Sequence, residues 1–230
     1  NILQMRLFFL AVVFLAVNAA AVDVSMVMKI CAAAELKCNQ SAIETIFEEE
    51  AKKIGRSAED HASICLKQQQ NAELTPLERM LMNVELSRVV QEGTYRVKFN
   101  NSAEVMPYFK KHFSYTWKLF ETRMEPMMKE QEKMSNEIRT YGENIQSLFL
   151  DAIVRVSQEE ISTKEQLILA IFRELAKLVK AAIAGYAGLS DAAKTEMEKY
   201  SCVRTKYRAL VETGAAAKYQ AMMDAFAAQK

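Results

Sequence analysis

One short pattern occurs three times in the chain, as Leu74-Thr75-Pro76-Leu77-Glu78-Arg79, Met134-Ser135-Asn136-Glu137-Ile138-Arg139 and Leu189-Ser190-Asp191-Ala192-Ala193-Lys194. Each copy places an apolar residue before a Ser or Thr, and a basic residue follows that hydroxyl four positions later. A hydroxyl at this position accepts a hydrogen bond from a free backbone N–H of the first helical turn, which stabilises the helix by about 1 kcal/mol. The pattern therefore predicts that a helix begins at each copy.

The composition also favours helices. Half of the 230 residues are apolar, only 6 are Gly and 3 are Pro, and Ala, Leu, Met, Glu, Lys and Gln dominate. These side chains lose little rotamer freedom in a helix, and strand-like alternation is nearly absent. We predict an all-α fold, a compact multi-helix bundle, in a chain long enough for one large domain or two small ones.

The N-terminal segment is typical of a secretory signal peptide. Arg6 precedes the apolar run Leu7–Ala16, and small residues follow at 19–21. The run is shorter than the about 20 apolar residues that span a bilayer. We expect removal of residues 1–21, of which those before Met5 are interpreted as translated upstream sequence or a remnant. The expected mature product is a soluble, secreted, extracellular protein.

Charge argues against a nucleic-acid partner. The chain has 30 Lys and Arg against 29 Asp and Glu, so the loss of Arg6 leaves 29 of each. Nucleic-acid binding needs a positive excess that a neutral chain does not supply.

Enzyme motifs are missing from the sequence. It contains no Gly-rich phosphate loop, no Gly-x-Ser-x-Gly and no His-Glu-x-x-His. His61 and His112 are interpreted as exposed residues, and Glu48–Glu50 and Glu159–Glu160 as solvated helix faces. We therefore predict a protein that is not an enzyme, with no catalytic residues and no cofactor.

Cysteine usage indicates an oxidising compartment. The four cysteines, Cys31, Cys38, Cys65 and Cys202, predict two disulfides, and the spacing leaves three pairings open. At least one bond is expected to fix the N-terminal region, and Cys202 is expected to form a long-range one. Zinc is the less favoured alternative, because Cys31 and Cys38 are far apart for a ligand pair and the two histidines are distant. No metal site is predicted.

Two sequons, at Asn39 and Asn100, are candidate glycosylation sites and agree with secretion.

Helix signals divide the chain into a Cys-bearing helical region, 22–71, and a helical domain, 72–230. The polar run Gln68–Asn71 is interpreted as the break between them. In the first region, a capping box of Ser41 and Glu44 is predicted to open a helix that Gly55 ends.

The second region is predicted to hold several helices. Thr75 and Glu78 form a capping box that opens a helix to about 91. A long helix is expected from near Pro107, kinked at Pro126. Further helices are expected over 135–156 and over 162–186, where a Ser162 and Glu165 capping box opens the second. Ser190 opens the last helices, with a break at Gly214.

Three of these helices carry apolar side chains at spacings of three and four, within 109–124, 145–156 and 168–186. Such spacing places each set on one face of its helix. On periodicity alone, an ordinary packed core is favoured over a ligand cavity.

From Leu74 onward the chain resembles the fatty acid- and retinol-binding proteins secreted by nematodes. In that family, helix starts of the form Leu-Ser/Thr-Pro-Glu-x-Lys recur between amphipathic helices, and the three copies here fall in the family's order. Further stretches that are similar to sequences of that family are Tyr108–Lys111, Phe149–Val156, Lys177–Lys194 and Lys218–Met222. The resemblance implies a helical fold around an apolar cavity that binds fatty acids or retinoids. It also implies no catalysis, an extracellular carrier role with transient membrane contact for ligand exchange, and a monomer.

Given that resemblance, we place the cavity between the three apolar faces. Its predicted lining is Phe109, Phe113, Trp117, Phe120, Ile145, Phe149, Ile153, Ile168, Ile171, Phe172, Leu175, Val179 and Ile183. The ligand carboxylate is expected at a portal near Lys110, Lys111, Arg173 or Lys177.

A second hypothesis is a secreted helical interaction or antigen protein with a fully packed core and no small-molecule ligand. The stretch Ile161-Ser162-Thr163-Lys164 resembles text of another secreted helical nematode antigen family. The two hypotheses differ in whether the interior has room for a lipid.

Overall fold

The computed structural model describes residues 27–28, 31–32, 35–72, 74–92 and 97–227, and within these the fold is all-α, as predicted. A 3-10 turn, Ser102–Glu104, precedes the fourth helix. The α-helices are α1 (Gln40–Lys53), α2 (Ala58–Ala72), α3 (Pro76–Gln91), α4 (Val105–His112), α5 (Ser114–Glu132), α6 (Asn136–Gln158), α7 (Lys164–Gly188), α8 (Asp191–Ser201), α9 (Val203–Glu212) and α10 (Ala215–Ala227). The predicted signal peptide, residues 1–21, lies outside the described residues. Within the described ranges, every helix is too short or too polar to cross a bilayer.

A helix begins at each copy of the repeated pattern, as predicted. The first copy forms a complete capping box at the start of α3. Thr75 N donates to Glu78 Oε2 at 2.7 Å, and Glu78 N donates to Thr75 Oγ1 at 3.2 Å. The second and third copies open α6 and α8.

The second and third copies lie side by side and satisfy each other's backbone groups. Ser190 N and Oγ both donate to the Glu137 carboxylate at 2.7 Å, while Ser135 N donates to Glu196 Oε1 at 3.1 Å. Ser190 also caps its own helix by accepting from Ala193 N. The predicted hydroxyl cap is wrong at Ser135, whose side chain makes no cap hydrogen bond. The repeat therefore fixes the N-terminal ends of α6 and α8 against each other.

Two predicted capping boxes are displaced. Asn39, not Ser41, caps α1, because its side chain accepts from Ser41 N at 3.0 Å. Thr163 and Gln166, not Ser162 and Glu165, form the box of α7: Thr163 Oγ1 accepts from Gln166 N, and Gln166 Oε1 accepts from Thr163 N.

The prediction of one long helix from Pro107 is wrong, because the helix is interrupted at the buried residue Phe113, where α4 ends and α5 begins. Glu85 of α3 supplies the physical reason. Its carboxylate accepts from the free backbone amides of Tyr115 and Thr116, both at 2.8 Å, and so caps α5 from another helix. Helix α5 runs across Pro126, where the kink stays a prediction.

The polar run Gln68–Asn71 is not a break, because α2 continues through it to Ala72 without a Gly or Pro to end it. The division of the chain into two regions stays a prediction. Gly55 and Gly214 do end helices, with φ of +70° and +75°. Helix α7 passes through Gly185 and ends at Gly188, and a Cβ at Gly185 would meet the Tyr141 ring of α6 at 3.0 Å.

Both predicted disulfides are present. Cys31 bonds to Cys38, and Cys65 of α2 bonds to Cys202 at the junction of α8 and α9. This junction was not predicted; Cys202 has a left-handed backbone with φ of 49°. Helix α1 packs on α2 and α9, whereas α7 packs on α6 and α10. The Cys65–Cys202 bond thus ties α2 to the α8–α9 junction, and α6 and α7 form a second group of packed helices with α10.

Candidate functional site

The apolar cluster around α6 and α7 contains residues from α4, α6, α7 and the loop before α4. Its buried members are Phe99, Val105, Phe149, Ile153 and Leu178, and its half-buried members include Phe109, Ile145 and Leu175. Five of the predicted cavity residues therefore meet in one cluster: Phe109, Ile145, Phe149, Ile153 and Leu175.

The other predicted cavity residues lie around this cluster. Ile171 packs with Val156 and Ile161. Phe113 is buried, with its ring centroid 5.2 Å from that of Phe109. Trp117 and Phe120 of α5 form a half-buried ring pair at 5.6 Å. Phe172, Val179 and Ile183 are half-buried on α7, and the side chain of Ile168 lies outside the described part of the structure.

A small cavity lies in the seam between α6 and α7. Its volume is about 20 Å³, which holds about one water molecule, whereas drug-sized ligands occupy about 300–1,000 Å³. This α6–α7 seam is lined by Phe149, Ala152, Val156, Ile171, Glu174, Leu175 and Leu178. In this structure the seam is closed, and an acyl chain enters it only if α6 and α7 separate.

A buried carboxylate with two cations stands at this seam. Glu174 is 4% exposed and accepts from Arg155 Nε at 2.6 Å and from Lys177 Nζ at 2.5 Å. Burial raises the pKa of Glu174, but the hydrogen bonds from Lys177 and Arg155 outweigh that effect, so its pKa lies below the usual 4.5. The arrangement offers two cations to an anion whose apolar part occupies the seam.

The remaining portal candidates differ in their partners. Arg173 is ion-paired with Glu159, which raises the pKa of Arg173 through that hydrogen bond. Lys110 is exposed and lies 3.9 Å from Glu121, and Lys111 is exposed. Of the four candidates, Lys177 is the one whose partner, Glu174, lines the seam.

Sequence reasoning missed the loop before α4. Phe99 is buried, its N donates to Ser157 Oγ at 3.1 Å, and its carbonyl accepts from Gln158 Nε2 at 2.8 Å. Its ring also meets Tyr108 edge-on at 5.3 Å. The sequence pattern that could have indicated this role is the short alternation Val97-x-Phe99. It places both side chains against α4 and α6 without forming a strand.

A second buried cluster lies between α1, α2, α8 and α9, and we call it the charged core: Glu50, His61, Glu198, Arg204, Thr205 and Arg208. His61 is fully buried, so its predicted exposure is wrong. Its Nε2 lies 2.9 Å from Glu198 Oε1 and 3.0 Å from Thr205 Oγ1. Glu198 also accepts from Arg204 N at 2.7 Å and Thr205 N at 3.2 Å, and thereby caps α9.

Glu50 contradicts the prediction of a solvated Glu48–Glu50 face. It is fully buried, and its carboxylate lies 2.9 Å from Arg204 Nε and 3.0 Å from Arg208 NH1. Lys53 Nζ donates to it at 2.6 Å. Glu50 and Glu198 thus lie among cations and backbone N–H groups, and that arrangement makes their burial tolerable.

Burial also shifts the pKa values of two neighbouring side chains. It lowers the pKa of Lys206 to about 8, although the Glu198 charge opposes the change. It raises the pKa of Tyr186, and Glu198 adds to that shift. Burial among the packed helices is the largest cause of both shifts.

One group of possible metal ligands falls in this region. The ligand atoms of His61, Cys65 and Cys202 lie within 4.8 Å of one another. The two sulfurs are bonded to each other, and a disulfide does not offer the thiolates that zinc requires.

Both sequon asparagines are exposed but hydrogen-bonded. Asn39 caps α1, and Asn100 Nδ2 donates to Glu104 Oε1 at 3.2 Å.

The chain matches no known family model, and no characterised protein or solved structure is detectably similar to it. Fold and covalent structure define an all-α, disulfide-bonded protein, and the two disulfides fit an extracellular location.

Proposed function

We propose that the protein is a secreted, non-enzymatic carrier of fatty acids or retinoids, with the ligand held in the α6–α7 seam. One observation carries the proposal: an apolar seam with Arg155 and Lys177 beside it, both now bound to the buried Glu174. A fatty acid carboxylate replaces the Glu174 carboxylate at these cations while its chain separates α6 from α7. The resemblance of the repeated helix starts to secreted lipid carriers supports the same reading.

The energetics allow such an exchange. An acyl chain gains about 0.8 kcal/mol for each buried methylene, so ten methylenes give about 8 kcal/mol before ordering and opening costs. Micromolar binding corresponds to about 8.2 kcal/mol. Ten methylenes alone therefore give micromolar affinity at most, and longer chains, which bury more methylenes, are expected to bind more tightly.

The test is a titration of delipidated, oxidised protein with a polarity-sensitive fluorescent fatty acid at micromolar concentrations. We expect a blue shift of the probe, and a change in the emission of Trp117, the sole tryptophan, when oleate or retinol binds. Leu175→Arg, at a half-buried residue of the seam lining, is expected to abolish binding while leaving helical circular dichroism largely intact. A probe spectrum unchanged by the wild-type protein contradicts the proposal.

Substitutions at the seam separate carboxylate recognition from burial. Lys177→Gln should weaken oleate binding about tenfold, because a charge-assisted hydrogen bond contributes about 1.5 kcal/mol. Retinol, which has no carboxylate, should bind this variant as it binds wild type. Lys180→Gln, an exposed lysine of the same helix, is the matched control. Glu174→Gln frees both cations and is expected to tighten oleate binding.

The closed seam favours a second candidate, a secreted helical interaction protein whose core admits no ligand. The 20 Å³ volume is the observation behind it. Solvent extraction and mass spectrometry of the purified secreted protein decide between the two. A stoichiometric lipid supports the carrier, and a lipid-free protein that also fails the titration supports the second candidate.

A further inference from the structure

Helix α3 turns a stripe of apolar side chains toward solvent. Leu77 is 61% exposed, Met80 54% and Val84 61%, and their spacing of three and four places them on one face. They are three of the five large hydrophobic side chains that are exposed in the described part of the chain. Such a concentration on one helix is the kind of patch that marks an interaction surface.

The opposite face of α3 already has its partner. Met82 and Glu85 are buried, and Glu85 caps α5 through Tyr115 N and Thr116 N. The helix therefore packs by its inner face, and the stripe faces away from that contact.

The charged residues that line the stripe are two arginines, Arg79 and Arg88. A shallow groove of about 750 Å³ runs along it, and its described lining residues are Pro76, Arg79, Met80, Asn83, Val84, Ser87, Arg88 and Gln91, with no acidic residue among them. The acidic groups of α3 are engaged elsewhere: Glu78 accepts from Thr75 N, and Glu85 is turned inward. Glu92, just beyond the helix, lies 3.4 Å from Arg88.

We propose that this face docks on an anionic lipid bilayer. Leu77, Met80 and Val84 enter the boundary between headgroups and acyl chains. Arg79 and Arg88, which each donate one hydrogen bond to a backbone carbonyl, reach lipid phosphates with their remaining N–H groups. Charge complementarity selects this occupant over a second copy of the chain, because a two-fold contact would bring the arginines of both copies together without acidic partners among the groove residues. The docking proposal rests on the proposed carrier function in one respect: the carrier function gives docking its purpose, which is to collect and deliver lipid at a membrane.

The experiment is co-sedimentation of the oxidised protein with phosphatidylcholine vesicles that contain or lack phosphatidylserine. We expect binding to anionic vesicles that weakens with added salt and is several-fold lower on neutral ones. Replacing Met80 and Val84 together with Ser should reduce binding about tenfold, and Arg79→Gln about fivefold, since each cation near the surface contributes about that factor. Val211→Ser, which removes an exposed hydrophobic side chain of α9, is the matched control and should bind as wild type.

Three outcomes overturn the docking proposal: no binding of wild type to anionic vesicles, equal binding by the Met80 and Val84 double variant, or vesicle-independent self-association that this variant abolishes in sedimentation velocity. The last identifies a second copy as the occupant. Fatty acid titration without vesicles is run in parallel on the same variants. Intact fatty acid binding with lost vesicle binding separates a failure of docking from a failure of the carrier function.

Discussion

The charged core and the α6–α7 seam are both buried between helices, yet they are held by opposite kinds of interaction. In the charged core, the two carboxylate oxygens of Glu198 accept hydrogen bonds from two backbone N–H groups and a hydroxyl, and one of them faces the His61 imidazole. In the seam, Phe149, Ile171 and Leu178 meet by apolar contact, and the Arg155–Glu174 ion pair at its rim is the directional link described between the two helices there. Hydrogen bonds and ion pairs depend on orientation, whereas apolar burial is non-directional.

This difference predicts which region can move. Separating the helices of the charged core would leave buried charges without partners, and that costs far more than re-exposing part of an apolar contact. The seam can exchange one apolar neighbour for another, including a lipid chain. The first region is therefore expected to be rigid and the second adaptable, and four experiments test that contrast.

The largest effect is expected from the disulfide beside the charged core. Replacing Cys65 and Cys202 with Ala should lower the free energy of unfolding by about 5 kcal/mol, because the bond closes a loop of 137 residues. Replacing Cys31 and Cys38, which are 7 residues apart, should cost about 2 kcal/mol. Urea denaturation followed by circular dichroism measures both. Equal losses would show that the long loop closed by Cys65–Cys202 adds no further stability to the charged core.

The next effect concerns the buried carboxylate of the charged core. Glu198→Ala is expected to lower the free energy of unfolding by about 3–5 kcal/mol, because His61 and two amides of α9 lose their acceptor. Glu160→Ala, at an exposed residue, is the control and should change it by less than about 0.5 kcal/mol. A loss below about 1 kcal/mol for Glu198→Ala, in the same urea titration, would remove the basis for calling this region rigid.

A smaller effect is expected where Gly185 of α7 faces the Tyr141 ring of α6. Gly185→Ala places a methyl group 3.0 Å from the Tyr141 ring, whose hydroxyl donates to Ala182 O, and should destabilise by about 1–3 kcal/mol. Gly188→Ala meets nothing within 4 Å and should stabilise by about 0.4–1 kcal/mol. Thermal unfolding of the two variants compares them directly. If both stabilise the protein, α6 and α7 yield to added volume more easily than their geometry indicates.

The smallest effect is a pH dependence at the seam. Because hydrogen bonds from Lys177 and Arg155 hold the pKa of Glu174 below 4.5 despite its burial, the carboxylate contributes stability above that pH. The contribution disappears as pH falls through the lowered, folded-state pKa. The stability difference between wild type and Glu174→Gln should therefore be constant near neutral pH and shrink below pH 4.5. Urea midpoints of both proteins across this range measure it, and a difference that grows in acid contradicts the assignment.

Local features of the fold could be predicted from sequence, and long-range ones could not. Helix starts at Thr75 and Ser190 depend on neighbouring residues, and so do the helix ends at Gly55 and Gly214. The charged core depends on Glu50, His61 and Glu198 meeting across α1, α2 and α8, so the sequence alone indicates exposed residues at Glu50 and His61. The break at Phe113 likewise depends on Glu85 from another helix.

The candidate site shows the same division. Periodicity correctly grouped Ile145, Phe149 and Ile153 on one face of α6, and this face does enter the apolar core. It did not reveal how much space remains, because empty volume depends on how side chains of different helices interlock. Nor did it indicate that Arg155 of α6 pairs with Glu174 of α7, since that pairing requires the three-dimensional arrangement of the two helices.

The separation of Cys65 and Cys202 also orders events during synthesis of the chain. Ribosomes add about 5–20 residues per second, so Cys202 is made about 7–27 s after Cys65. During that interval the thiol of Cys65 has only Cys31 and Cys38 as partners, and either would give a mispaired product. Those two are close in sequence and find each other quickly, and once bonded they are removed from competition. The short bond thus keeps Cys65 available, and the order of translation selects one of three pairings.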